Sequence, residues 1–232
     1  MLRLDKYLSE LGVGTRSELK KIIKSGRITV DGQVCKSPEA KIDEAKAVVL
    51  VDGRQISYEK FVYYLLNKPA GCVTATTDNV HKTVMEYLKD VDRPGLSPVG
   101  RLDLDTEGLL LITNDGDLNH RLMSPKHHVP KTYFAILDNP VPEEAIEQFR
   151  EGVDIGDEKL TLPAKLILDE TDKTKATLTI TEGRYHQVKR MFETVGCTVT
   201  YLKRVSMGKL TLGNLQPGEY RPLSSEDLDL LG

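Results

Sequence analysis

Long apolar runs, paired cysteines and glycine-rich phosphate loops are all missing from this 232-residue sequence, and each absence removes a class of protein. No stretch approaches the roughly 20 apolar residues that a membrane-crossing helix needs. A content of 39% hydrophobic and 29% charged residues is ordinary for a globular chain. The first residues, MLRLDKYLSELG, mix charged with apolar side chains and contain neither an apolar core segment nor a small-residue cleavage site. They do not read as a secretion signal, and the protein is expected in the cytoplasm, away from membranes. Cys35, Cys72 and Cys197 are odd in number and far apart, with no CxxC pair and no neighbouring histidine ligand. They are expected to be reduced structural thiols, with no metal site. Cys197 would act as a nucleophile only if folding brought His186 or Arg190 to it. The lack of G-x-G-x-x-G and of G-x-x-x-x-G-K-[ST] argues against a dinucleotide fold, an NTPase and a methyltransferase that needs a nucleoside cofactor.

Nor does one sign of charge dominate the whole chain, whose net charge is −3. The distribution is uneven: residues 1–60 hold 12 Lys and Arg against 9 Asp and Glu, a net +3, which leaves −6 for the other 172. Such segregation suits a protein with a local basic surface. Within this part, Leu4, Tyr7, Leu8 and Leu11 fall at helical spacing and Gly12 ends the pattern. Thr15 followed by Glu18 is a capping-box signature for a second helix, and Gly26 is its stop. Leu19, Ile22 and Ile23 share one face of it, while Arg16, Lys20, Lys24 and Arg27 recur at spacings that stack four cations on the other. By charge alone that stripe is equally a solvated helix face. RITV, the turn Asp31-Gly32 and QVCK read as a hairpin, followed by the strand-like VVLV of residues 48–51.

The composition shifts near residue 58, so two domains are expected, 1–58 and 59–232. The second opens with FVYYLL at 61–66, a strand-like run, and further strands are predicted over 109–113, 131–137, 160–169, 174–181 and 197–203. Helices are predicted over 83–89, 117–123, 143–151 and 186–195. There is no regular βαβ repeat, which favours an α+β class over a doubly wound sheet.

Residues 100–117, GRLDLDTEGLLLITNDGD, concentrate the chemistry. Asp103, Asp105, Glu107 and Gly108 imitate the first half of a calcium loop, but position twelve would be Asn114 instead of a bidentate Glu, and positions seven to ten are all aliphatic. Acids in a polar turn ahead of a buried strand are the plainer alternative.

This segment, with GRLD followed by TEGLL, resembles the active-site motif of the RsuA-type pseudouridine synthases, which modify ribosomal RNA. Three further motifs follow the family order: NKPAGCVTA at 67–75, PKTYFAIL at 130–137 and EGRYHQVKRMFETVG at 182–196. RLDKYLSELGVGTRSELKKIIKSGRITVDGQ resembles the S4 RNA-binding module. The resemblance implies an S4-like (αL) module plus a mixed α+β catalytic domain with a mainly antiparallel sheet. It implies Asp103 as the catalytic aspartate, Tyr133 as the tyrosine that stacks on the target base and Lys189 as the cation that keeps Asp103 ionised. Lys189 stands where many relatives have Arg, which loses the planar fork. Arg101, Leu102, His186 and Arg190 are implied as substrate-binding, with Arg190 as the alternative cation and an internal salt bridge as the plainer role of Arg101. Arg3, Arg16, Lys20, Lys21, Lys24 and Arg27, with Lys6 at the margin, are implied as contacts to RNA backbone.

The implied activity is isomerisation of a uridine flipped out of ribosomal RNA, most like the enzyme for 16S rRNA or a small-subunit assembly intermediate. No cofactor is implied, and a monomer is expected. The aspartate could attack C1′, add to the base or remove a sugar proton. A 23S rRNA enzyme shares every catalytic motif, and a noncatalytic S4-type assembly protein is the reading from another class.

Overall fold

The computed structural model describes residues 1–56, 60–91, 93–124 and 127–231, so the expected boundary at 58/59 lies outside the described residues. The chain forms two compact units. One comprises Met1–Val62 with Asp90–Leu96, and the other Tyr63–Lys89 with Ser97–Gly232.

The first unit begins with β1 (Leu2–Arg3) and α1 (Leu4–Glu10), whose Leu4, Tyr7 and Leu8 are buried as the helical spacing requires. α2 (Arg16–Lys24) starts at the Thr15 capping box: the Thr15 hydroxyl accepts from the Glu18 amide, and Glu18 accepts from the Thr15 amide at 2.8 Å. Leu19 and Ile23 are buried against α1, while Ile22 is half-buried. β2 (Ile28–Val30) and β3 (Gln33–Val34) form the expected hairpin, and Asp31 and Gly32 take φ of 50° and 81°, the left-handed pair that a two-residue turn needs. β4 (Lys41–Ile42) pairs with β1, and β5 (Val49–Val51) with β2 and with β6 (Arg54–Ile56). Ile28, Ile42 and Val49 close the core over both helices.

The second unit is built on one sheet. Its strands are β7 (Tyr63–Lys68), β8 (Ser97–Val99), β9 (Glu107–Thr113), β10 (Lys131–Leu137), β11 (Lys165–Leu168), β12 (Lys175–Ile180), β13 (Val199–Met207), β14 (Leu210–Thr211) and β15 (Tyr220–Pro222). The order is β11-β12-β10-β13-β9-β7-β15, with β14 on β13 and β8 on β9. The β13–β9 pair is parallel and the other described strand pairs are antiparallel, which makes this a mixed α+β protein with a mainly antiparallel sheet. Helices α3 (Gly116–Met123), α4 (Glu144–Glu151), α5 (Gln187–Glu193) and α6 (Ser225–Asp229) lie between or after these strands. Among the described residues no helix is long and apolar enough to cross a membrane.

Some predicted elements are shortened or extended for local reasons. The strand predicted over 160–169 is confined to Lys165–Leu168, because Pro163 lacks an amide for the ladder. Val84–Leu88 is a 3₁₀ helix capped by Thr83 and Glu86. β13 runs on to Met207 because it has partners on both sides. Asn114-Asp115-Gly116 is a helix start: the Asp115 carboxylate accepts from the amides of Asp117 and Leu118 at 3.1 and 3.0 Å.

Candidate active site

Asp103 lies in the loop that enters β9, and that loop is held by its main chain. Lys68, fully buried at the end of β7, donates its ammonium to the carbonyls of Asp103 (3.0 Å), Thr106 (2.7 Å), Pro69 (3.1 Å) and Leu104 (3.4 Å). Thr74 donates its hydroxyl to the Leu102 carbonyl at 2.8 Å and accepts from the Leu102 amide at 3.1 Å. The Gly71 amide donates to the Leu104 carbonyl at 2.8 Å. The motif NKPAGCVT is therefore the clamp on which GRLDLDT rests. Burial pushes the Lys68 ammonium below its usual pKa, although nearby acids oppose that shift.

Gly108 completes the arrangement. It has φ of +107°, and a Cβ there would fall 2.2 Å from the main-chain oxygen of Arg204. It pairs with Lys68 on β7 and with Arg204 on β13, so this glycine lets three strands close up directly behind the Asp103 loop.

The Asp103 carboxylate, 29% exposed, faces His186 Nε2 at 3.5 Å and Lys189 Nζ at 3.7 Å. Lys189 is closer to Asp105, reaching both carboxylate oxygens at 2.7 Å, and this hydrogen bond holds the Asp105 carboxyl below its usual pKa. The cation expected for Asp103 is thus shared between two carboxylates. Both His186 and Lys189 come from EGRYHQVKR, whose shape depends on buried polar contacts. Gln187 donates to Glu182 at 2.8 Å and accepts from the Arg184 amide at 3.0 Å, while Arg184 donates to Glu182 at 2.9 Å. His186 caps α5 in the left-handed conformation, φ 48°, and its ring stacks on that of Tyr185 at 3.9 Å. A non-glycine residue held there carries strain of a kind that clusters at functional sites.

Asp103, Arg101, Leu102, Tyr133, His186 and Lys189 line one cavity of about 800 Å³. Arg101 is exposed there and makes no ion pair among the described residues, so its plainer role as an internal salt bridge does not apply. Tyr133 is buried, since β10 alternates and places Lys131, Tyr133, Ala135 and Leu137 on one face. Arg190 is not brought to this cavity. It bonds Asp157 at 2.6 Å and the Tyr185 carbonyl at 3.0 Å, because one step of α5 turns it away from Lys189.

The stripe of cations in the first unit is shorter than its spacing suggested. Arg16, Lys20 and Lys24 lie exposed on α2 with Lys21 beside them, but Arg27 follows Gly26, beyond the helix, and forms a two-bond pair with Asp52. Arg3 is exposed and pairs with Asp5 at 3.0 and 2.8 Å, and Lys6 lies 3.6 Å from Glu10. Arg3 and Arg27 therefore present partly neutralised charge.

Cys72 and Cys197 are buried free thiols pushed up by burial, and Cys197 contacts only carbonyls of Pro140 and Val195, so no cationic partner reaches it among the described residues. Sequence reasoning gave no role to Lys68, Thr74, Tyr185, Lys131 or Arg204. The last two are cations at buried positions of β10 and β13.

An α+β unit presenting an aspartate, a tyrosine and a lysine to one cavity, in a chain that also has an S4-like unit, defines the class. Residues 62–194 match the RNA pseudouridylate synthase family and residues 2–48 the S4 domain. The chain belongs to the RNA pseudouridylate synthase family and is an isomerase. It is 46% identical to an uncharacterised RNA pseudouridine synthase of Bacillus subtilis, covering 99% of this chain and 98% of that one. It is 43% identical to ribosomal small subunit pseudouridine synthase A of Escherichia coli over 98% of each. A crystal structure of a pseudouridylate synthase matches it with a TM-score of 0.70 and 38% identity, with complete coverage of both chains.

Proposed function

We propose that this enzyme converts a specific uridine of 16S ribosomal RNA to pseudouridine, with Asp103 as the catalytic carboxylate and no cofactor. The reaction breaks N1–C1′, turns the uracil in place and joins C5 to C1′ with loss of the C5 proton. It needs no oxidant, group donor or energy source. The observation that carries this reading is the combination at Asp103: a carboxylate on a main-chain clamp, between His186 and Lys189, in a cavity also lined by Tyr133. Full-length similarity to enzymes named for the small ribosomal subunit supports the choice of 16S over 23S RNA.

In this assignment Tyr133 stacks on the flipped base, Lys189 keeps negative charge on Asp103, and Arg101 with His186 holds the nucleotide's backbone. The unit containing residues 1–58 lays Arg16, Lys20, Lys21 and Lys24 on RNA phosphate, with Arg3 and Arg27 adding less because each already has an acidic partner.

The test is tritium release from RNA labelled at C5 of uridine, with 16S and 23S RNA and small-subunit assembly intermediates assayed separately. Release from a small-subunit substrate alone, lost in Asp103→Asn, is the expected result. Release from 23S RNA would reassign the substrate. No release from any of them, with RNA binding unaffected by Asp103→Asn, would favour a noncatalytic assembly protein.

A further inference from the structure

Most arginines that fold against the second unit's interior have a carboxylate: Arg184 has Glu182, Arg190 has Asp157 and Arg221 has Asp227. Two buried cations that line the Asp103 cavity break this pattern. Arg204 is 1% exposed and Lys131 is 7% exposed, both line the cavity that holds Asp103, and among the described residues neither makes an ion pair. Arg204 donates Nε to the Leu109 carbonyl at 2.7 Å and Nη1 to the Tyr133 hydroxyl at 3.5 Å, while Nη2 is buried with no partner. Lys131 has three donor hydrogens and, among the described residues, one hydrogen bond, to the Val129 carbonyl at 3.2 Å. Thr106, 1% exposed and lining the same cavity, also has a buried hydroxyl oxygen without a partner.

Burying a charge without a counterion is costly, and placing two like charges in one region adds to the cost. Burial and the proximity of Arg204 together depress the Lys131 ammonium to about 8. A fold gains nothing from this arrangement by itself. It becomes favourable once negative charge arrives between the two cations, and the reaction supplies such charge. If N1–C1′ breaks with both electrons passing to N1, the base becomes a uracil anion whose charge is spread over N1, O2, C5 and O4. C1′ is then taken up by the Asp103 carboxylate, or its charge is relieved by loss of a sugar proton. If the carboxylate adds to the base instead, the electron pair moves to O4 as an enolate. Each route puts negative charge on the base carbonyls.

We infer that Lys131 and Arg204 form a cationic floor to the uridine pocket, Lys131 as a catalytic residue that binds a base carbonyl and Arg204 as a positioning residue that backs it and orients Tyr133, so that the detached uracil anion is stabilised and retained. The inference rests on the assignment of the Asp103 cavity as the uridine site. Preorganised donors aimed at developing charge are usually the largest single contribution an enzyme makes. Retention also follows, because an anion held by two buried cations turns in place and does not escape.

The experiment compares uridine with 5-fluorouridine in otherwise identical rRNA, under single-turnover conditions, by digestion and mass analysis of the remaining parent nucleoside. Fluorine withdraws electrons and makes the base a better anion, so it depends less on the cations. Lys131→Met is expected to slow uridine conversion by roughly 100-fold or more, and 5-fluorouridine conversion by roughly ten times less than that. Lys131→Gln, which keeps a donor without charge, serves as the second variant and is expected to show the same inequality. Equal slowing of both nucleosides, or no slowing of either, overturns the inference. An active wild type with equal slowing overturns it alone. A wild type that converts neither nucleoside in any rRNA overturns the pocket assignment with it.

Discussion

Lys68 bonds main-chain carbonyls of the two loops that converge on Asp103. Lys68→Met would leave those acceptors buried and unsatisfied, at a cost of roughly 3 kcal/mol or more. The expected outcome is a lower denaturation midpoint together with loss of turnover, read by chemical unfolding and tritium release on the same preparation. Lys131 predicts the opposite sign. Its folded-state value of about 8 lies below the ordinary 10.5, so the folded protein binds this proton less readily than the unfolded chain. Below about pH 8 the full cost of burying the charge applies, about 3 kcal/mol, and stability contributed by this group rises as pH increases from 8 toward 10.5. Lys131→Met should therefore be more stable than wild type at pH 7, and that advantage should shrink as pH rises to 10. A variant that is more stable and less active is the expected signature of a residue kept for function. Asp103 itself was legible in the sequence through its motif. Lys131 and Arg204 were not singled out there, because a lysine or arginine in a strand is ordinarily solvated, and only the pairing of β10 with β13 shows that these two are not.

Elements formed where their local signals agreed. The α2 capping box, the Asp31-Gly32 hairpin and the alternation of KTYFAIL each depend on neighbours a few residues away, and each appears where the sequence placed it. Signals failed where an element depends on distant chain. β1, β4, β14 and β15 have two or three residues each, too few for a periodicity, and exist only because a partner strand lies alongside. Gly108 belongs to this level. In the sequence it matched the glycine of a calcium loop, whereas it is part of β9 and its missing side chain admits the Arg204 main chain. Gly108→Ala would force β9 and β13 apart and adopt an unfavourable φ, with an expected loss of roughly 3 kcal/mol or more. Thermal unfolding measures that loss. A melting temperature indistinguishable from that of wild type would show that the two strands have room to spare.

For the molecule as a whole, charge is divided between two compact units while the total is slightly negative. Removing residues 1–58 is expected to weaken binding to ribosomal RNA and to flatten its dependence on salt, because a protein that neutralises fewer phosphates releases fewer counterions. Titrations at several salt concentrations check this. An unchanged slope would place the phosphate-binding surface on the second unit.

The sequence by itself determined what is local or carried by motif: two units, an α+β class, the helix caps, the hairpin, the family and the position of Asp103 within it. Tertiary structure alone decided which side chains share the cavity with Asp103, because its neighbours there come from β10, β12, α5 and β13, far along the chain. It turned Arg190 toward Asp157, divided Lys189 between Asp103 and Asp105, and buried Lys131 and Arg204 without counterions. Spacing along a chain gives the face on which a side chain emerges. What that face meets, and hence whether a charge is solvated, paired or left exposed to a substrate, is set by strand order and register.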